Sequence, residues 1–216
     1  MKITLISDTH SKHNQLTLPK GDILIHAGDV SSRGNKREVK NFLNWFSKQD
    51  YKYKIFIAGN HDFFFEQENE NIIQEIIPEN IIYLNDSGIE IEGIKIWGSP
   101  IQPTFFDWAF NRERGTEIKK YWDLIPNDTD ILITHGPPFG ILDQTVRGEN
   151  VGCKELLIRV LEIKPKIHVF GHIHEAYGEA QKHDIKFINA SVLNVRYQVT
   201  NLSVEVDFDK RVRKKY

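Results

Sequence analysis

The chain reads as a layered α/β protein in which two β-sheets face each other and helices lie outside them. Three observations predict this class. Short apolar runs rich in Ile and Val recur at 3–6, 23–25, 55–58, 131–134 and 167–170, as buried strands do. Segments with helical periodicity lie between several of them. Further apolar stretches at 81–84, 89–97, 186–190 and 202–208 have no helices between them, which predicts a second, largely antiparallel sheet.

In chain order, the strand 3–6 runs into Ser7-Asp8 and the strand 23–25 into Ala27-Gly28-Asp29. Residues 36–48 then place Val39, Phe42, Leu43 and Phe46 on one helical face. The strand 55–58 ends at Gly59-Asn60-His61-Asp62. Residues 66–80, rich in Glu and Asn, space Ile72, Ile73, Ile76 and Ile77 helically and predict a surface helix packing one apolar stripe. After the strands 81–84 and 89–97 comes the richest aromatic segment, 103–126, where Phe105, Phe106, Trp108, Phe110, Tyr121 and Trp122 are interleaved with Arg112, Glu113 and Arg114. Packing on the core or on another subunit is its weightier reading, and roofing a site to stack a nucleobase the lighter one. Residues 136–152, carrying Gly140, Arg147, Gly148 and Gly152, read as a mobile loop bordering His135. A second amphipathic helix, 154–163, aligns Leu156, Leu157, Val160 and Leu161.

Bulk properties bound the function. The 216 residues suit one domain, 1–216, and a composition of 40% hydrophobic and 27% charged residues is that of a soluble globular protein. No apolar run approaches the ~18 residues of a membrane span, so no membrane partner is expected. The first apolar run is too short for a signal peptide, and the lone Cys153 excludes an internal disulfide and a cysteine-based zinc site. A cytoplasmic location is expected. A formal charge of -2 argues against a dedicated long nucleic-acid partner, and the basic cluster at 210–215 reads as a solvated tail. Homo-oligomerisation stays open.

Five short motifs carry the chemistry: Asp8-Thr9-His10, Gly28-Asp29, Gly59-Asn60-His61-Asp62, Thr134-His135-Gly136 and Gly171-His172-Ile173-His174. Strand carboxyl ends in α/β sheets converge on one edge, where loops bring side chains into a shared crevice. Asp8 and His10, like His172 and His174, stand at i and i+2, which in an extended segment points both side chains the same way. Gly28 permits a tight turn that lets Asp29 bridge two cations, Asn60 offers a neutral amide oxygen, and the imidazoles complete a nitrogen and oxygen donor set.

These motifs, in this order, resemble those of the calcineurin-like metallophosphoesterase superfamily. The stretches 134–138, 147–153, 168–175 and 188–191 further resemble the small metallophosphoesterase-domain subfamily, which includes cyclic-nucleotide phosphodiesterases. The resemblance implies a four-layer α/β/β/α sandwich of two mixed sheets. It also implies two divalent metal ions, with Asp8, His10 and His174 on the first, Asn60, His135 and His172 on the second, and Asp29 bridging. Mn2+ is favoured, and Fe, Zn, Co and Ni are compatible with the donors.

The implied activity is hydrolysis of a small phosphoester, with a cyclic or linear nucleotide diester favoured. A phosphomonoester of a small metabolite is the alternative, and a non-catalytic interaction scaffold a further one. The two ions, about +4 in charge against -2 from Asp8 and Asp29, would attract phosphate and supply a bridging hydroxide for in-line attack. The resemblance makes His61 the general acid. Ser32 stands where the protein-phosphatase branch has an aspartate paired with that acid, so Asp62 is a substitute orienting group. Arg33 aligns with a phosphate-binding arginine of that branch, and His13, Arg33 and Arg147 are the candidate substrate contacts. His26 and His168, within apolar strands, read as core histidines, His183 as exposed, and Asn189 has no derived role.

Overall fold

A computed structural model describes residues 1–209, and the basic cluster at 210–215 lies outside them. Its elements in chain order are β1 (Lys2–Ile6), β2 (Ile23–Ala27), α1 (Lys36–Ser47), β3 (Tyr53–Ile57), α2 (Phe63–Gln67), α3 (Glu70–Ile76), β4 (Ile82–Tyr83), β5 (Ser87–Ile91), β6 (Ile94–Ser99), β7 (Gln102–Pro103), β8 (Asn111–Arg112), α4 (Thr116–Trp122), β9 (Ile131–Thr134), α5 (Lys154–Ile163), β10 (Ile167–Phe170), β11 (Gly178–Lys182), β12 (Ile185–Asn189) and β13 (Val204–Asp207). No helix among the described residues is long and apolar enough to cross a membrane.

One sheet runs β13-β1-β2-β3-β4, parallel except where β13 pairs with β1. The other runs β11-β12-β10-β9-β6-β5, with three parallel inner pairings and an antiparallel pairing at each edge. The second sheet is therefore mixed, not largely antiparallel as expected. The physical reason is that α5 crosses over between β9 and β10 and sets them parallel, while the stretches 81–84 and 202–208 join the first sheet instead.

Side-chain alternation builds the layers. Ile23, Ile25, Ile55 and Ile57 of one sheet share a core with Ile131, Ile133, Ile167 and Val169 of the other, while Leu24, Phe56, Leu132 and Phe170 turn outward. Both faces of these strands are thus buried, which is why they read as continuous apolar runs. Phe42 and Phe46 of α1 meet the outward Phe56 at ring-centroid distances of 5.5 and 6.2 Å. Ile118 and Trp122 of α4, with Leu156 and Val160 of α5, belong to the outer cluster that holds Leu132 and Phe170. The result is the four-layer α/β/β/α order.

Two elements differ from expectation. The helix expected at 66–80 is split: α2 ends at Gln67, Glu68 is extended, and the Asn69 side chain caps α3 by accepting the Ile72 N–H at 3.0 Å. Pro78 excludes helix from the preceding residue. The stretch 89–97 is a hairpin rather than one strand, because Glu92 (φ 50°) and Gly93 (φ 76°) both adopt the left-handed backbone of a tight turn.

Candidate metal centre

The loops after β1, β2 and β3 in one sheet and after β9 and β10 in the other carry Asp8 and His10, Asp29, Asn60 and His61, His135, and His172 and His174. They do not converge through extended i, i+2 geometry. Asp8 (φ 55°), His10 (φ 40°), Asp29 (φ 57°) and His172 (φ 68°) are left-handed, a conformation that Asp and His tolerate better than most residues. The turns aim main-chain amides at neighbouring loops: Asp8 N–H donates to Gly28 C=O at 2.9 Å and His10 N–H to Asp29 C=O at 3.0 Å. Close approach also dictates two glycines. A Cβ on Gly28 would lie 2.5 Å from His135 Nδ1, and one on Gly171 would lie 2.0 Å from Asp8 Oδ2.

Two donor clusters result, Asp8 with His10 and His174, and Asp29 with His135 and His172, and a third group, His10 with Asp29 and His61, overlaps them; the ligand atoms in each lie within 4.8 Å of one another. His174 Nε2 stands 3.5 Å from Asp8 Oδ1, and His10 Nε2 stands 3.4 Å from His174 Nε2. Asp29 Oδ2 lies between the clusters, 3.5 Å from His10 Nε2 and 3.4 Å from His135 Nε2. Asn60 Oδ1 is 2.8 Å from both His135 Nε2 and His172 Nδ1. All seven residues predicted as ligands are therefore brought together.

The donor set fits divalent cations. Asp8 and Asp29 are buried, and their ion pairs are with histidines. The outer nitrogens of His135 and His174 donate to Ala27 C=O at 3.0 Å and Asn194 C=O at 3.1 Å, which turns their Nε2 atoms inward, the orientation of a metal-bound imidazole. The donors are nitrogen and oxygen throughout; Cys153 Sγ instead accepts the Leu156 N–H at the start of α5. Without a cation, burial opposes charge on every member, but the histidines hold Asp8 and Asp29 well below the carboxylate range. Burial likewise opposes charge on His135 and His174, yet Asp29 and Asp8 raise them to about 9, whereas burial pushes His10 and His172 down to about 4.

A cavity of about 340 Å³ is lined by His10, Asp29, Asn60, His172 and His174, and by His61. His61 Nδ1 donates to Ser32 C=O at 2.9 Å, so Ser32 orients this ring through its main chain. Asp62 does not orient His61. Its carboxylate instead accepts the Gly59, Val30 and Ser31 N–H groups at 2.8 to 3.0 Å, tying the loops after β2 and β3 together. Ser191 Oγ donates to Asp8 Oδ2 at 2.6 Å, and Asn189 accepts the Ser191 N–H and donates to Ile173 C=O, so the block 188–191 braces the first cluster.

The three candidate substrate contacts are not brought to the cavity. His13 is buried against Phe42 and Trp45 and bonds Asn41, while Arg33 and Arg147 are exposed and absent from the cavity wall. Arg114 lines the wall instead, its guanidinium donating to Val151 and Gly152 C=O. The aromatic segment divides: Phe110 and Trp122 are core, whereas Phe105 and Trp108 line the cavity. Tyr197 is a further wall residue, in a loop where no sequence motif marks it. The loop 136–152 is pinned by Asp143, whose carboxylate accepts the Gly140 and Gly152 N–H groups at 2.9 Å. His26 and His168 are buried, as expected, and bond Thr9 and Thr134 through Nε2, while the buried Nδ1 of each has no hydrogen-bond partner among the described residues; His183 is exposed, as expected.

Facing sheets with a histidine and carboxylate centre at their shared edge define a metallophosphoesterase-type protein. The calcineurin-like phosphoesterase family model matches residues 1–176, and the chain belongs to that family. It is 42% identical over 230 residues to human metallophosphoesterase domain-containing protein 1, covering 95% of this chain and 70% of that protein. A Caenorhabditis elegans UPF0046 protein is 38% identical over 211 residues, covering 92% of this chain and 72% of its own. Among solved structures, the phosphopantetheinyl hydrolase of Mycobacterium tuberculosis matches with a TM-score of 0.63 at 15% identity, covering 91% of this chain and 90% of the other, a likeness of fold.

Proposed function

We propose that this family member is a dinuclear-metal phosphodiesterase acting on a small phosphoester, with cyclic or linear nucleotides the favoured class. The observation that carries the reading is the position of Asp29 Oδ2, within 3.5 Å of a histidine of either cluster, which suits a carboxylate shared by two cations. Asp8, His10 and His174 would hold one ion and Asn60, His135 and His172 the other. Mn2+ is the first choice. Two divalent ions held there would neutralise phosphoryl oxygens and lower the pKa of an attacking water.

The chain's own groups supply the rest. His61, with Nδ1 donating to Ser32 C=O, keeps its other nitrogen for the leaving oxygen, a contribution of about 10²- to 10⁴-fold when the leaving group is an alkoxide. A cavity of about 340 Å³ sits at the small end of ligand sites and suits a compact ester rather than a polymer. The free, buried Cys153 accords with a reducing, cytoplasmic setting.

The test is activity of the Mn2+-loaded protein on bis- and mono-(p-nitrophenyl) phosphate, alongside His61→Ala assayed on a diester with an alkoxide leaving group and with its metal content measured. Preference for the diester, and loss of turnover at unchanged metal content, are the expected results. Preference for the monoester replaces the diester reading with the phosphomonoesterase one. An inert, fully loaded protein across a broad phosphate panel makes the chain a scaffold.

A further inference from the structure

We infer that Trp108 is a positioning residue for His61, holding the proton-donating imidazole by ring stacking rather than binding substrate itself. This rests on the reading of His61 as the proton donor. The two ring centroids are 4.2 Å apart with planes inclined by 30°, and His10 makes a T-shaped contact with the same imidazole at 4.6 Å and 84°. With Nδ1 donating to Ser32 C=O at 2.9 Å, the His61 ring is fixed by a hydrogen bond, a tilted ring contact with Trp108 and a T-shaped one with His10. Tyr197 is farther away, at 6.5 Å.

The indole is itself anchored to the loop it serves. Ala109 N–H donates to Asn60 C=O at 3.2 Å, and Phe110 N–H donates to Glu66 Oε1 at 2.9 Å. Phe63, two residues beyond His61, packs on the indole at 6.0 Å with planes inclined by 34°. Two protein rings thus contact Trp108 at the edge of the cavity that it lines. An acid must meet the leaving oxygen within hydrogen-bond reach, and misplacement by about 1 Å can cost on the order of 10²-fold, so holding this ring has a kinetic consequence.

The test compares parent, Trp108→Ala, Trp108→Phe, His61→Ala and the Trp108→Ala/His61→Ala double variant, all Mn2+-loaded with metal content measured. Two diesters are used, one with a p-nitrophenolate and one with an alkoxide leaving group. Trp108→Ala should lower kcat by about 10-fold or more on the alkoxide ester and much less on the p-nitrophenyl ester, because only the poor leaving group needs a proton. Trp108→Phe should restore most of that loss, and in the double variant the Trp108 change should add nothing to His61→Ala. Equal loss on both esters, a rise in KM alone, additive losses, or loss of metal would each overturn the positioning role. Unchanged turnover of His61→Ala on the alkoxide ester would instead overturn the proton-donor reading and this inference with it.

Discussion

Asp8 and Asp29 each sit beside one imidazole raised to about 9 and one lowered to about 4, so the metal-free centre is two ion pairs with two neutral spectators. A cation needs neutral imidazoles, and His135 and His174 must each release a proton when it binds. Between the ordinary histidine value of 6.5 and about 9, apparent affinity should therefore rise as pH rises, by about tenfold per unit for each proton displaced. Titration calorimetry in buffers of differing ionisation enthalpy should detect about one proton released per cation at pH 7.5, and zero release would refute the assignment. The glycines are as exacting as the ligands. Gly171→Ala should push Asp8 aside and cut metal uptake at least about 10-fold, read by equilibrium dialysis, because the new methyl would start 2.0 Å from Oδ2. Ligands were legible in sequence because ionisable residues directly after apolar strands have few other reasons to be there. Trp108 and Tyr197 were not, since a loop aromatic carries no period that says whether it faces core or cavity, and His13 was misread because its loop folds inward onto Phe42 and Trp45.

At the scale of elements, strands β1, β2, β3, β9 and β10 were legible because they are buried on both faces. Sheet membership was not, because apolarity records burial and says nothing of partner. The hairpin at 89–97 was hidden for a similar reason: Glu92-Gly93 interrupts an otherwise regular apolar–polar alternation by only two residues. What aligns the loops after β2 and β3 is one side chain. Asp62 is buried, and burial, then the nearby Asp29 charge, lifts its carboxyl to about 6, while amides of Gly59, Val30 and Ser31 still choose it as acceptor. Asp62→Ala would strand three buried amides at about 1 kcal/mol or more each, and the Ser31 hydroxyl, which can turn to another partner. The expected loss is about 3 kcal/mol in urea unfolding of the metal-free protein, together with weaker metal binding. Full retention of both would show that the loops hold their places without it. The cap on α3 offers a milder case: Asn69→Ala should cost about 1 kcal/mol and leave turnover intact, since α3 lies outside the cavity wall.

Across the whole molecule, each sheet keeps one neutral histidine under its outer layer. His26 bonds Thr9 Oγ1 at 2.9 Å beneath Phe42, and His168 bonds Thr134 Oγ1 at 2.8 Å beside Phe170 and Phe187. Burial holds both down to about 3 against 6.5 in the unfolded chain. A folded value below the unfolded one means that, in this window, the unfolded chain binds more protons. Their contribution is then complete above 6.5 and is lost as pH falls toward about 3, at a limiting slope of about 1.4 kcal/mol per pH unit for each histidine. His168→Gln keeps a partner for Thr134 and removes the titration. It should be less stable than the parent near pH 7, where a fitted ring has been lost, and should gain on the parent steadily as the solution is acidified. Unfolding free energies of the two proteins measured from pH 7 to 4.5 decide the matter. Curves that run parallel would mean that His168 enters the folded interior with an unshifted proton affinity, and the acid sensitivity of this sandwich would then rest on its other buried groups, His26 among them.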